Sequence, residues 1–254
     1  MATLSVIIVA KNEAHNIVDC VKSCAFADEI IVLDSGSTDR TAEAARQAGA
    51  QVIETDWPGY GPQQQRGIQL AQCDWVLSLD ADERISDALR AEIQQTIASP
   101  RADGYRLPRL STFCGKFIHH SGWRPDYTLR LVKRPLAGFT DHFLHAHMTV
   151  NGTKADLKED IIHYSYRDLR DVLDKLDRYS TGNAKDMLTK GLPPKSMAHA
   201  LLHGIWAFIR TYIMRAGFLD GSAGLMLAIY NAECTYYKYL KFREMYQLAN
   251  KTQV

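Results

Sequence analysis

The stretch LSVIIVA at residues 4–10 decides how the fold begins. Because this apolar run lacks polar alternation, it predicts a short strand that is buried on both faces. The stretch EIIVLD at residues 29–34 repeats the pattern after a segment of helical character at about 14–25. Two strand–helix units in succession are typical of a parallel sheet.

Two further strands continue the alternation. A helix over 41–49 precedes a strand at 50–54, and a helix over 63–71 precedes the apolar strand DWVLSLD at 74–80. These spacings predict an α/β fold with a Rossmann-like, mostly parallel sheet, flanking helices and right-handed crossovers.

Polar segments follow three of the predicted strands, at residues 11–13, 34–39 and 80–83. Ligands of parallel sheets bind beyond the carboxyl ends of the strands. We therefore expect these segments, although distant in sequence, to lie along one edge of the sheet.

The alternation ends near Asp103. Strand-like pieces at 104–107 and 127–132 follow, and Asp168 is positioned to cap a helix over 169–188 with apolar residues at helical spacing. After the break GLPP at 191–194, the sequence predicts a helical C-terminal extension.

Composition argues against several classes of protein. Lys plus Arg total 30 and Asp plus Glu total 29, whereas a general nucleic-acid-binding protein usually carries a basic excess. Five cysteines without a C-x-x-C pair indicate reduced cytosolic thiols rather than disulfides or structural zinc. The first residues do not resemble a signal peptide, and no apolar run reaches the roughly 18 residues of a spanning helix.

The fourth strand ends in Asp80-Ala81-Asp82, the pattern most informative about function. Two carboxylates on such a turn can hold a divalent cation, and the cation can bridge a diphosphate. The alternative is an acidic turn that stabilises the start of the following helix. The spacing alone leaves both interpretations open.

Three motifs together resemble those of family 2 glycosyltransferases: VAKNE at 9–13, VLDSGSTD at 32–39 and DAD at 80–82. The resemblance covers residues 4–165. It implies a GT-A fold, a UDP-sugar donor, a divalent metal (Mg²⁺ or Mn²⁺) and inversion at the anomeric carbon.

The resemblance also implies roles for individual residues. Asp126 is the implied general base, and Asp82 and His163 are the implied metal ligands. Glu13 would contact the ribose and Asp34 the base. The full set of implied nucleotide-sugar contacts is Ala10, Asn12, Glu13, Asp34, Gly36, Arg66, Asp80 and Ala81.

Each implied role has a plainer alternative. Asp34 and Asp39 can stabilise a turn and the next helix without any ligand. Arg66 can be a solubilising surface residue. Asp126 can belong to a capped β-turn, and His163 can be a satisfied core histidine.

Histidines are concentrated between residues 119 and 203, and they include His142, His145, His147 and His163. The spacing His145-x-His147 suits a strand as well as a zinc site, and without cysteine partners we expect no dedicated zinc centre. Relatives usually have His-Glu where this chain has His145-Ala146, so no role is carried over from that Glu.

The C-terminal segment GFLDG at 217–221, with the residues that follow to 240, resembles one branch of the family, the lipopolysaccharide inner-core β-1,4-glucosyltransferases of Gram-negative bacteria. This implies UDP-glucose as donor and a heptose of the lipid A core as acceptor. It also implies a cytoplasmic protein at the inner face of the inner membrane.

A broad apolar stripe on a predicted helix over 198–215 suits peripheral contact with an anionic membrane. A core-packing helix is the alternative. The predicted domains are a catalytic domain over 1–166, with a nucleotide-sugar half to about 100 and an acceptor half from 101, and a membrane-associating helical region over 167–254.

Two other functions share parts of this pattern. A nucleotidyltransferase acting on sugar phosphates normally opens with a Gly-rich basic loop, which residues 10–13 do not provide. A non-catalytic sugar-nucleotide-binding protein could use the same fold, since fold alone does not establish activity. The acidic pattern at 80–82 together with Asp126 favours an enzyme.

Overall fold

The computed structural model describes residues 2–140 and 147–251, and it alternates strands with helices before becoming helical after residue 168. The strands are β1 Leu4–Ala10, β2 Glu29–Asp34, β3 Gln51–Glu54, β4 Trp75–Asp80, β5 Glu83–Ile85, β6 Gly104–Phe113, β7 Lys116–Phe117, β8 Tyr127–Lys133, β9 Ala137–Phe139, β10 Met148–Val150, β11 Lys154–Asp156 and β12 Ile161–Tyr166. The helices are α1 Ile17–Ser23, α2 Thr41–Gln47, α3 Tyr60–Leu70, α4 Asp87–Ala98, α5 Leu169–Thr189, α6 Met197–Ile209 and α7 Gly221–Lys251.

One large sheet has the strand order β3-β2-β1-β4-β8-β6-β12-β5. The first four strands are parallel, and β8 then pairs antiparallel with both β4 and β6. The predicted fold class, an α/β sheet flanked by helices with a helical extension, is confirmed. In the mixed half β8 pairs antiparallel with both of its neighbours, and helix α4 connects β5 to β6.

The central strands are buried on both faces, as their continuous apolar sequences predict. Val6 and Ile8 of β1 pack into the layer that contains α1, α2 and α4, whereas Ile7 packs into the layer that contains α3 and β10. Each such side chain contributes about 1.5–3 kcal/mol by leaving water. A Cβ on Gly67 of α3 would lie 3.1 Å from Ile7 and from Leu33, so glycine permits this helix to approach the sheet closely.

Contacts divide the chain into two compact units. The first consists of Met1–Leu110 and Pro125–His163 and holds the central sheet. The second consists of Ser111–Arg124 and Tyr164–Val254. Residues 111–124, which the sequence assigns to the acceptor half, therefore group with the helical region.

The second unit is built on helices α5, α6 and α7. Asp168 caps α5 by accepting a hydrogen bond from the Asp171 amide at 2.8 Å, which agrees with its predicted position. Its core includes buried Tyr166 and Tyr230, whose hydroxyls lie 2.9 Å apart. The predicted helix over 198–215 is α6 followed by a π-helical turn at Arg210–Met214.

The second unit also contains a carboxylate that binds a loop: Asp220, in the 3-10 turn Gly217–Asp220. Its carboxylate accepts hydrogen bonds from the amides of His119 and His120 and from the Ser121 hydroxyl. Burial alone raises the pKa of Asp220, but these hydrogen bonds hold it below the ordinary value. Asp220 therefore fixes the 119–121 loop as a charged acceptor.

None of the helices in residues 2–140 and 147–251 combines the length and the hydropathy needed to cross a bilayer.

Candidate active site

The carboxyl ends of β2, β1 and β4 lie level with one another at one edge of the sheet. Ala10 is the register partner of Asp34, and Val9 is the partner of Asp80. Because β1 lies between the other two strands, the polar turns that follow all three strands meet at this edge.

The turns after β1 and β2 are joined by hydrogen bonds. Asn12 has a left-handed backbone (φ 56°), and its side-chain oxygen accepts from the Thr38 amide at 2.8 Å. Asp34 is 2% exposed, and its Oδ2 accepts from the Ser37 amide at 2.9 Å. Gly36 also has a positive φ of 77°, a conformation that glycine adopts without strain. The turn after β2 therefore donates hydrogen bonds to the Asp34 carboxylate from its own residue Ser37.

Glu13 lies beside the same turns. Its amide donates to the Thr41 hydroxyl at 2.8 Å, and its carboxylate accepts from the Asn16 side chain at 2.8 Å. Asp39 accepts from the Ala14 amide at 3.2 Å. The Glu13 side chain is 31% exposed, so it borders the edge rather than the core.

Arg66 of α3 is directed to the loop that follows β3. Its Nη1 donates to Asp56 Oδ1 at 2.9 Å and to Gln63 Oε1 at 3.0 Å, and it also contacts the Thr55 hydroxyl. The Thr55 amide donates to the Asp34 carbonyl at 2.9 Å. Arg66 thus holds the loop that follows β3 next to Asp34.

Asp80, whose side chain is 41% exposed, belongs to an ion-pair network with Arg130 and the fully buried Glu83. Arg130 Nη2 donates to Asp80 Oδ2 at 2.6 Å and to Glu83 Oε1 at 2.8 Å. Glu83, which is fully buried, also accepts from the Asp80 amide at 2.9 Å. The guanidinium therefore joins two carboxylates at the end of β4.

Burial and charge act in opposite directions on these two carboxylates. Burial by itself raises the pKa of Asp80, but the charge and hydrogen bond of Arg130 bring it below the ordinary value. Burial raises the pKa of Glu83 above the ordinary value although Arg130 opposes it. Asp80 is therefore the member of the pair that carries negative charge most readily.

Asp126, just before β8, is held by Arg109 of β6. Arg109 Nε and Nη2 both donate to Asp126 Oδ2, at 2.9 and 2.6 Å. Arg109 Nη1 lies 3.6 Å from Glu83 Oε1. Charges of alternating sign thus run from Asp126 through Arg109, Glu83 and Arg130 to Asp80.

Asp82 and His163 face each other, with Oδ2 and Nε2 3.4 Å apart and side chains 26% and 16% exposed. Burial alone would lower the pKa of His163, but the hydrogen bond and charge of Asp82 raise it above the ordinary value. Ala81, between the two acidic residues, is buried, and its carbonyl accepts from Arg84 at 2.9 Å.

The structure thus brings the predicted residues of three strand ends to one edge, together with Asp126 and His163. Within the described residues, no three His, Cys, Asp or Glu side chains form a complete metal site. His142 and His145 lie outside the described residues, and the His147 amide donates to the Thr140 hydroxyl at 3.1 Å.

Arg109 and Arg130 were not among the residues predicted for the site, and Glu83 was predicted only as the end of the polar segment 80–83. The available signal is a charged side chain within a strand, as at Arg109 in β6 and Arg130 in β8, but Arg106 and Lys133 of the same strands carry it too. A strand with one exposed face produces the same pattern, so the sequence does not separate the two cases.

Comparisons with known proteins show the family and the fold of the chain. The family model described as "Glycosyl transferase family 2" matches residues 5–156. An uncharacterised glycosyltransferase of Rickettsia felis is 30% identical over 96% of this chain and 90% of that protein. The lipopolysaccharide core biosynthesis glycosyltransferase LpsC of Rhizobium meliloti is 26% identical over 96% of this chain and 92% of that protein. In fold alone, the chain is similar to S. aureus TarS 1–349, with a TM-score of 0.50 at 15% identity over 96% of this chain and 91% of that one.

Proposed function

The chain belongs to glycosyl transferase family 2, and we propose that it transfers glucose from UDP-glucose, with inversion, to a heptose of the lipopolysaccharide inner core. The observation that carries the proposal is the meeting of three strand ends with an ion-pair network that reaches Asp126. Family membership favours glycosyl transfer over nucleotidyl transfer and over binding without catalysis.

In this proposal the nucleoside lies along the turns after β1 and β2. Asn12 and Gly36 shape the turns against which the nucleoside lies. Glu13 accepts a hydrogen bond from the ribose, and Asp34 borders the base. Asp80, Ala81 and Arg66 complete the donor side, Arg66 by holding the loop beside Asp34. Buried polar contacts of this kind discriminate strongly between nucleotides because an unsuitable base leaves them unpaired.

Asp82 and His163 are suited to hold a divalent metal. One carboxylate and one imidazole, close together and partly exposed, are a donor set that Mn²⁺ or Mg²⁺ accepts when phosphate oxygens and water supply the other ligands. Such a metal, when bound, stabilises the charge of the departing diphosphate. In this proposal the diphosphate lies beside these two side chains.

Asp126 is the proposed base for the acceptor hydroxyl. Arg109 occupies only Oδ2, and Oδ1 accepts no hydrogen bond from the described residues. The Asp126 side chain is 39% exposed, so an acceptor can reach it. A carboxylate so placed can take the proton as the hydroxyl attacks.

The lipid-linked acceptor is supported by the likeness to LpsC, which extends over nearly all of both chains. A lipid-linked saccharide is presented at a membrane surface, so the enzyme must work beside one. We place this protein in the cytoplasm, at the inner face of the bacterial inner membrane.

Helix α6 supports contact with that membrane. A helix that packs in a soluble core buries its large apolar side chains, whereas α6 buries its small residues and exposes large apolar ones. Its small residues Ala200, Gly204 and Ala207 are buried, and a Cβ on Gly204 would lie 3.2 Å from the Ala232 carbonyl of α7. Nine large apolar residues of α6 and the turns after it are instead 48–64% exposed. They are Met197, Leu201, Leu202, Ile205, Trp206, Ile213, Met214, Phe218 and Leu219, and we call them the apolar face.

Basic residues accompany the apolar face. Lys195, Arg210 and Arg215 are exposed on the same part of the chain. Apolar side chains that enter the acyl boundary and cations that remain at anionic headgroups are the usual composition of an interfacial helix.

Titration calorimetry with UDP and GDP, each with Mn²⁺ and with EDTA, tests the proposed function. UDP is expected to bind in the presence of Mn²⁺ and to bind much more weakly with EDTA, and GDP is expected to bind weakly in both. Equal indifference to both nucleotides would contradict the proposal.

A further inference from the structure

Arg109 occupies the position where the proposed base meets the carboxylates of the donor side. It gives two hydrogen bonds to one oxygen of Asp126, and its remaining terminal nitrogen lies 3.6 Å from fully buried Glu83. The nucleotide, metal and base roles proposed above leave this arginine without a function.

The backbone fixes the Arg109–Asp126 pair independently of the side chains. The Arg109 amide donates to the Asp126 carbonyl at 2.9 Å, and the adjacent residues Pro108 and Tyr127 are register partners of β6 and β8. With only 23% of its side chain exposed, Arg109 has little freedom to leave the pair.

This placement matters because a base works only from a defined direction. Both donors of Arg109 hold Oδ2, which leaves Oδ1 as the basic oxygen and sets the plane of the carboxylate. A displacement of about 1 Å can cost on the order of 100-fold in rate.

We propose that Arg109 is a positioning residue that orients the Asp126 carboxylate toward the acceptor and links it, through Glu83, to the Asp80 end of the donor site. This inference rests on the proposed function, which assigns Asp126 the role of base. Arg109 acts through Asp126 and does not itself exchange a proton.

The test compares Arg109→Gln with Arg109→Lys. The control is Arg106→Gln, because Arg106 makes a comparable bidentate pair with Asp156 at the surface, at 2.6 and 2.7 Å. Transfer is measured from UDP-glucose to a heptose-terminated lipid A core. For Arg109→Gln, kcat is expected to fall about 10- to 100-fold while KM for UDP-glucose changes less than about threefold.

The other variants test whether Arg109 acts through Asp126. Arg109→Lys should regain part of the lost kcat because it keeps the charge without the planar fork. When Asp126→Asn is already present, Arg109→Gln should cost less than about threefold more, since residues that act as a unit are not additive. A full additional loss, or an unchanged kcat in Arg109→Gln, would overturn the inference.

Crystal structures of the wild type and Arg109→Gln give a result that does not depend on activity. We expect the Asp126 carboxylate to move by about 1 Å or more when the fork is removed. An unmoved carboxylate overturns the inference even if transfer is detected. If the wild type neither binds UDP nor transfers sugar, the proposed function is contradicted. The crystallographic displacement of Asp126 then still tests whether Arg109 positions this carboxylate.

Discussion

The Asp82 carboxylate lies against the His163 imidazole, with Oδ2 3.4 Å from Nε2. Asp82 follows β4, whereas His163 lies in β12 opposite Glu83 of β5. Strand pairing therefore brings a hard oxygen and an imidazole together, although they are far apart in sequence. In the proposed function the pair supplies two ligands to a divalent metal, and the diphosphate supplies others.

Replacing Asp82 tests this assignment. Asp82→Ala is expected to lower kcat/KM by on the order of 100-fold or more, because the metal that stabilises the leaving group loses a ligand. Calorimetry should find UDP binding in Mn²⁺ reduced to the level seen with EDTA. Asp87→Ala, at an exposed position of α4, serves as the control. Unchanged Mn²⁺-dependent binding in Asp82→Ala would refute metal ligation by this residue.

Asp126→Asn separates binding from catalysis. The amide keeps the size of the side chain but cannot accept the hydroxyl proton, so turnover should fall by about 10²- to 10⁴-fold. Calorimetric UDP affinity should stay within about threefold of the wild type, since Asp126 lies on the acceptor side. Asp156→Asn, which also removes an Arg–Asp pair, is the control. Loss of UDP binding would assign Asp126 to the donor site instead.

Asp220→Asn is expected to destabilise the helical unit by about 1–3 kcal/mol near pH 7, because the charged acceptor of the 119–121 loop is lost. The lowered pKa of Asp220 means that its stabilisation is complete above the unfolded value of about 3.9 and is lost as pH falls through the folded value. Urea unfolding should therefore find a smaller difference between variant and wild type near pH 3.

The matched control for that series is Asp186→Asn, whose carboxylate forms an exposed pair with Lys190 on α5. It should change the free energy of unfolding by less than about 0.5 kcal/mol at either pH. The neighbouring His120 has Nδ1 3.1 Å from Asp220 Oδ1, so repeating the series in a His120→Gln background removes this contact from the comparison. A difference that is constant with pH would contradict the role given to the Asp220 charge.

The apolar face predicts binding to lipid. Leu202→Ser combined with Trp206→Ser should reduce flotation with phosphatidylglycerol-containing vesicles by on the order of tenfold, since two large side chains no longer leave water. Leu70→Ser, an exposed leucine of the first unit, is the control. Wild-type binding should weaken with neutral phosphatidylcholine vesicles and at high salt. Equal flotation of the double variant and the wild type would exclude the apolar face as the contact.

The parallel half of the sheet could be predicted from sequence because its signals are local. Continuous apolar runs at β1 and β4 act within a few residues, as does the cap at Asp168 that begins α5 in the second unit. Helix α4 carries similar signals in its Ser86 cap and in Leu89, Ile93 and Ile97, yet it was not predicted. The order of the mixed strands depends on pairing between distant segments, which no local pattern records.

The same limit applies to the candidate site. Asp80 and Asp82 are evident because they end a buried strand, whereas Glu83 becomes meaningful only when Arg130 and Arg109 arrive from β8 and β6. Each of these residues alone fits an outward position of a strand. That Glu83, Arg109 and Arg130 come together is a property of the tertiary structure. The exposure of the large residues of α6 is likewise a tertiary property.

Gly204 affects how α6 behaves in the purified protein. Because the glycine and its alanine neighbours seat the helix so closely on α7, the bulky side chains have no room on that side and remain in water. In detergent-free buffer they should drive the purified chains to cluster. The apparent size of the protein by light scattering should then depend on detergent concentration. Crystallisation should proceed best from micelles or bicelles.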